Sequence, residues 1–171
     1  KLPAFSSIEA KKILEDELGN DFFSQIKDIS EPVAAASIAQ VHFAKINKNN
    51  KEINIAIKIL RPDIEKIFNE ELDALMLLAY TIESIIKKTK RLKLVEVVQL
   101  LREITNVEMD LRFEAAAANE LYENTKNDIG FKVPKIYWDY TSKKVLCLDK
   151  IAGISIRETK KLQSLNVNLK K

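Results

Sequence analysis

The chain has 171 residues, 46% of them hydrophobic and 31% charged, which suits one globular domain or one lobe of a larger one. Its net charge of +3 gives no ground for a nucleic-acid partner, and a single cysteine, Cys147, excludes an internal disulfide and fits a reducing compartment. No apolar run approaches the ~20 residues of a membrane-spanning helix, and residues 1–5 lack a signal-peptide core, so a cytoplasm-facing location is expected.

Ser6-Ser7-Ile8-Glu9 has the S-x-x-E form of a capping box and predicts a helix to Gly19, with Ile8, Leu14 and Leu18 on one side. A short second helix is expected over 20–26, carrying Phe22 and Phe23, before Pro32 stops helical structure. Strands follow, joined by the polar turn Asn-Lys-Asn-Asn-Lys at 47–51. Ile53, Ile55, Ile57 and Ile59 alternate with Asn54, Ala56, Lys58 and Leu60, the period of a strand with two chemically different faces. Arg61-Pro62 ends it. Leu72, Leu75, Met76, Ala79, Ile82 and Ile86 then fall at helical spacing. Beyond the basic stretch 87–93, a second long helix takes Val98, Leu101, Ile104, Val107, Leu111, Ala115 and Ala118 as its stripe. Residues 127–130 form a break, Pro134 opens a strand through Tyr137 and Trp138, and a turn at 141–143 leads to the last strand, 145–148. Gly153 closes the segment, and the tail beyond Arg157 is polar and lysine-rich. Helices segregated from locally connected strands predict an α+β fold with a small antiparallel sheet and long helices.

Two features in order mark the segment that bears on chemistry.

 Ala34-x-Ala36-x-x-Ala39-x-Val41 has the spacing of the kinase G-x-G-x-x-G-x-V loop with alanine at each glycine position, and Ile55-Ala56-Ile57-Lys58 follows in the manner of V-A-I-K. Lys58 shares its strand face with Ala56, which leaves room for a flat ring beside a cation. A half-buried lysine needs a carboxylate, and Glu108, Asp110 and Glu114 offer one, although a solvated acidic face relieved by Arg112 accounts for the same pattern. The stretch 87–93 reads as a solvated inter-helix turn or as a contact to anionic lipid.

Together these motifs resemble the UbiB (aarF-domain) family of atypical kinase-like proteins, linked to ubiquinone (coenzyme Q) biosynthesis. Residues 31–62 resemble its alanine-rich loop and lysine strand, Glu108-x-Asp110-x-x-x-Glu114 its E-x-D motif and following acid, and 145–153 its inter-lobe strand and hinge. The resemblance implies a protein-kinase-like N-lobe that binds ATP or ADP. Ala34, Ala35, Ala36 and Ser37 would form the nucleotide loop, with Val41 and Ala56 beside the nucleotide. Lys58 would meet the phosphates and pair with Glu114, and Asp149, Lys150 and Ile151 would lie at the adenine hinge. It also implies partners among ubiquinone-biosynthesis proteins, a peripheral membrane contact, and a place at the cytoplasmic face of the inner membrane.

No catalytic-loop or D-F-G pattern follows Gly153, and His42, followed by Phe43 and Ala44, starts no H-x-D motif. Asp128-Ile129-Gly130 precedes the hinge and reads as a loop, and no K-x-G-Q motif is present. The expected organisation is an N-terminal helical segment (1–30), a kinase-like N-lobe (31–153) and the start of an inter-lobe segment (154–171). No catalytic residue or metal ligand is assigned within the chain, and Mg²⁺ is expected only when a C-lobe is supplied. The function expected is that of a nucleotide-binding lobe, as a fragment or one half of a split kinase or ATPase. The alternative is a non-catalytic, pseudokinase-like remnant or interaction module.

Overall fold

A computed structural model describes residues 3–48 and 51–165 of the chain. The fold is α+β, with a small antiparallel sheet covered on both faces and a long helical hairpin, in keeping with a kinase-like N-lobe. Helix α1 (Ser7–Phe23) starts at the capping box. Ser6 accepts from the Glu9 N–H while the Glu9 carboxylate accepts from the Ser6 N–H. Gly19, at φ 74°, kinks α1 where two separate helices were expected. An L side chain rarely adopts that φ, so glycine suits the bend.

Strands β1 (Ile26–Lys27) and β2 (Ala34–Ala35) both pair with β3 (Ala39–Lys48), which pairs along its length with β4 (Lys51–Leu60). Strand β5 (Val145–Asp149) closes the other side of β4. Asn49 and Asn50 of the expected hairpin turn lie outside the described residues, as does the tail from 166. The alternation in β4 has the expected consequence. Ile55, Ile57 and Ile59 are wholly buried in one core with Ala10 and Leu14 of α1, Ile46, Val145 and Cys147. Leu60, on the opposite face, joins Ala39, Leu146 and Ile136 in a second core. Burial raises the pKa of the Cys147 thiol far above its ordinary value.

Three further expectations change. Helix α2 (Ile64–Ile85) begins before Leu72, and it packs along α3 (Leu94–Glu108) after a 3₁₀ turn (Lys87–Leu92). The second long helix is two. Met109 and Asp110 interrupt it, and α4 (Leu111–Thr125) starts afresh, laying Leu111 and Ala115 on the second core. The strand expected from Pro134 reduces to one bridge, Ile136 to Leu148, followed by a 3₁₀ turn (Trp138–Tyr140). A short helix α5 (Thr159–Ser164) follows β5. Among the described residues no helix is long and apolar enough to cross a membrane.

The N-terminal segment is fastened to β3 by a buried side-chain amide. Gln40 accepts from the Phe5 N–H at 3.0 Å and donates to the Phe5 carbonyl at 3.2 Å and to His42 Nε2 at 2.9 Å. With Nε2 accepting, the neutral His42 ring carries its proton on Nδ1, which donates to the Ser30 carbonyl at 2.7 Å. This is the satisfied strand histidine that a buried imidazole requires. Gln40→Ala strands the Phe5 N–H and the ring nitrogen, and is expected to cost about 2 kcal/mol in urea unfolding, the usual range for orphaned buried polar groups. Proteolysis ahead of α1 should quicken in the same variant.

Candidate functional site

Pairing across the sheet sets one row of side chains on a common face, because cross-strand partners point the same way. Ala34 lies opposite Val41, Val41 opposite Lys58, and Lys58 opposite Leu146. The neighbouring row holds Phe43, Ala56 and Leu148. Lys58, Val41, Ala56 and the start of the alanine loop therefore share a single surface, the one on which α4 packs.

Lys58 Nζ lies 2.6 Å from Glu114 Oε2. The side chains are 26% and 49% exposed, so the pair is open to solvent on one side. Its contribution to stability is correspondingly small, about 1 kcal/mol or less. Its geometric effect is larger, since it holds an ammonium head on the sheet face that also carries Val41 and Ala34.

That loop turns without glycine. The Ala36 N–H donates to the Ala39 carbonyl at 2.8 Å, and the residues with positive φ in the described chain lie elsewhere, at Gly19, Asp28, Asp63, Lys93 and Gly130. Alanine is therefore unstrained here. Arg61 fixes the turn from below, donating through Nε and Nη2 to the Ala36 carbonyl at 3.2 and 3.0 Å. Its backbone N–H bonds the Ile38 carbonyl, and its guanidinium lies 5.9 Å from the centre of the Phe5 ring. Sequence reasoning read Arg61 only as the end of a strand; an arginine there, one β-ladder away from the loop, was the available signal. Ala34, Ala36 and Ser37 are exposed and Ala35 half-buried.

The hinge residues divide. Asp149 points to the opposite face, accepting from the Tyr137 hydroxyl at 2.5 Å. Burial first, and that carboxylate second, raise the pKa of the Tyr137 hydroxyl well above its ordinary value. Lys150 places its ammonium 4.1 Å from the centre of the Phe43 ring, a cation–π contact on the Lys58 face. The N–H groups of Asp149 and Lys150 bond the carbonyls of Lys135 and Asn54. The Ile151 N–H has no protein acceptor among the described residues, and Ile151 itself is exposed.

Glu108 and Asp110 fall on either side of the α3–α4 corner. Glu108 is exposed at the end of α3, whereas the Asp110 side chain is only 12% exposed and caps α4 through the Arg112 N–H at 3.0 Å. Arg112 Nη2 meets the second Asp110 oxygen at 2.6 Å. This hydrogen bond, ahead of the opposing effect of burial, holds the Asp110 carboxyl below its ordinary pKa. A cavity of about 420 Å³ opens at the corner, lined by Val107, Glu108, Asp110, Leu111, Phe113 and Glu114. A larger one, about 760 Å³, lies between α1 and the start of α2 and is lined by neither Lys58 nor Glu114. The smaller cavity is lined by Glu114 of the lysine–glutamate pair but not by Lys58. Among the described residues no three His, Cys, Asp or Glu side chains converge as a metal cluster.

A lysine strand paired with a helix glutamate beneath a tight loop defines a kinase-like lobe. The chain matches the ABC1 atypical kinase-like domain over residues 1–171 and belongs to that family. It is 37% identical over 171 residues to a protein of Marinobacter nauticus described as "Probable protein kinase UbiB", with 99% of this chain and 31% of that protein covered. Proteins of the same description from Tolumonas auensis and Erwinia tasmaniensis are 34% and 35% identical, each over 99% of this chain and 31% of their own length. The chain thus spans 31% of the length of these relatives.

Asp110→Ala removes the α4 cap and should cost about 1 kcal/mol at neutral pH. A depressed folded pKa means the carboxylate's stabilisation is present above the unfolded value near 3.9 and is lost as pH falls through the folded one. The gap between wild type and Asp110→Asn should accordingly narrow below about pH 4 in urea titrations.

Proposed function

We propose that the chain is the nucleotide-binding N-lobe of a UbiB-like atypical kinase or ATPase that supports ubiquinone biosynthesis. The observation that carries this reading is the Lys58–Glu114 pair at 2.6 Å, on the same sheet face as the alanine loop. A nucleotide laid on that face would set its phosphates against Lys58 and the backbone N–H groups of residues 34–37, since a tight turn of amides binds phosphate oxygens without side chains. Ala56 and Val41 leave a flat apolar floor for the base. The Ile151 N–H is the hinge donor left available for adenine, because those of Asp149 and Lys150 are taken. Mg²⁺ would come with the phosphates and with carboxylates of a C-lobe, and that lobe is the partner the half-open face implies. Phosphoryl transfer belongs to the assembled pair of lobes.

A second reading, a non-catalytic lobe kept for interaction, draws on Asp110. Both of its oxygens are committed to Arg112, which makes that carboxylate a scaffold group.

Calorimetry with ADP and ATP separates the two. One lobe encloses a single side of the ligand, while well-formed sites bury ~70–90% of it, so affinity in the micromolar range or weaker is expected. Lys58→Ala should weaken binding at least tenfold, the scale of a lost charge-assisted hydrogen bond, while shifting unfolding by about 1 kcal/mol or less. Equal nucleotide affinity in wild type and Lys58→Ala would sink the nucleotide reading, and absence of binding in both would favour the interaction module.

A further inference from the structure

The amides of the loop at 34–37 are not equivalent as donors. The Ala36 N–H is committed to the Ala39 carbonyl at 2.8 Å, whereas the Ser37 N–H has no protein acceptor among the described residues. Ser37 itself is exposed.

The group that aims this free donor lies behind the loop. The peptide joining Ala36 to Ser37 is trans, so its C=O and N–H point in opposite directions. Arg61 holds the carbonyl end, with Nε at 3.2 Å and Nη2 at 3.0 Å from the Ala36 oxygen. Two donors of one planar guanidinium on one oxygen fix a direction as well as a distance. The Ser37 N–H is thereby turned away from Arg61. A carbonyl that accepts charge-assisted bonds also polarises its own peptide, which makes the N–H at the other end a stronger donor.

Arg61 is itself held in place. Its N–H bonds the Ile38 carbonyl at 2.9 Å, and Pro62 after it disfavours helical backbone at this position. Phe5, whose ring centre lies 5.9 Å from the guanidinium, packs on the core under α1, across the sheet from Lys58. A cation placed only to attract phosphates would stand beside Lys58. This one stands behind the loop and grips its backbone.

We propose that Arg61 is a positioning residue of the phosphate-binding loop: by holding the Ala36 carbonyl it presents the Ser37 N–H to the phosphates of a bound nucleotide. The inference rests on the nucleotide reading above and names the loop donor that serves it.

NMR titration of the isotope-labelled protein with ADP and with adenosine tests it. ADP should shift the Ser37 amide, and adenosine, which has no phosphate, should leave it in place while shifting Ile151. Arg61→Met keeps an apolar stem against Phe5 but has no donor. It should weaken ADP about tenfold, the scale of one misdirected hydrogen bond, and leave adenosine within about twofold. Arg61→Lys keeps the charge without the planar fork and should restore only part of the loss. If Arg61→Met melts early, Arg61→Lys alone carries the test, with ADP weakened and adenosine unchanged as the expected result. Full ADP affinity in either variant, equal loss for ADP and adenosine, or a Ser37 amide unmoved by ADP would each overturn the proposal. Lys58→Ala separates this from the reading beneath it. ADP binding weakened in Lys58→Ala but kept in Arg61→Met overturns the role of Arg61 alone, whereas no ADP binding by wild type overturns both.

Discussion

Strand β4 must be buried on both faces and still carry a cation. Ile55, Ile57 and Ile59 commit one face to the core under α1, and Leu60 commits the other to the core under α4. Lys58 sits between Ala56 and Leu60 on that second face, where an ammonium without a counter-charge would be costly to desolvate. Glu114 answers it, and the answer fixes a great deal. The glutamate comes from the first turn of α4, so α4 must begin close to the sheet. The Leu111 N–H donates to the Lys143 carbonyl at the turn leading into β5, and Asp110 caps the same helix end. The start of one helix, the edge of the sheet and the paired lysine are thus a single arrangement.

This arrangement explains why the chain breaks at Met109–Asp110. A continuous helix would carry α3 straight on past the sheet. The corner lets α3 run beside α2 while α4 turns onto the second core. Arg61 plays the matching part on the other side of the loop. It leaves β4 at its end and returns two hydrogen bonds to Ala36, so the lysine strand and the alanine turn are tied together.

Much of this was legible because two periods dominate the sequence. The alternation in 53–60 gave the strand, its two faces and the position of Lys58, and Ser6 with Glu9 gave the start of α1 to the residue. The α3–α4 corner was not legible, because Val107, Leu111 and Ala115 stay at helical spacing across it; the spacing passes through the break unaltered although Leu111 and Ala115 are buried on the second core and Val107 is exposed. Asp110 was the available signal, as an aspartate able to cap, but its place in an E-x-D pattern drew attention to its charge. The strand expected from Pro134 failed for a different reason. Tyr137 and Tyr140 are drawn into the core under α1, and the chain curls into a 3₁₀ turn to bring both inward. Long-range partners such as Gln40 with Phe5, or Lys150 with the Phe43 ring, leave no periodic trace at all.

The buried cysteine has a practical consequence. Cys147 is the chain's one thiol, fully enclosed in the core and held in its protonated form. Thiol reagents act on the thiolate and need access to it, so the native chain is a silent background for them. A cysteine introduced on any exposed position would be the single reactive site, and a fluorophore or spin label attached there would report from one known place without first mutating the core.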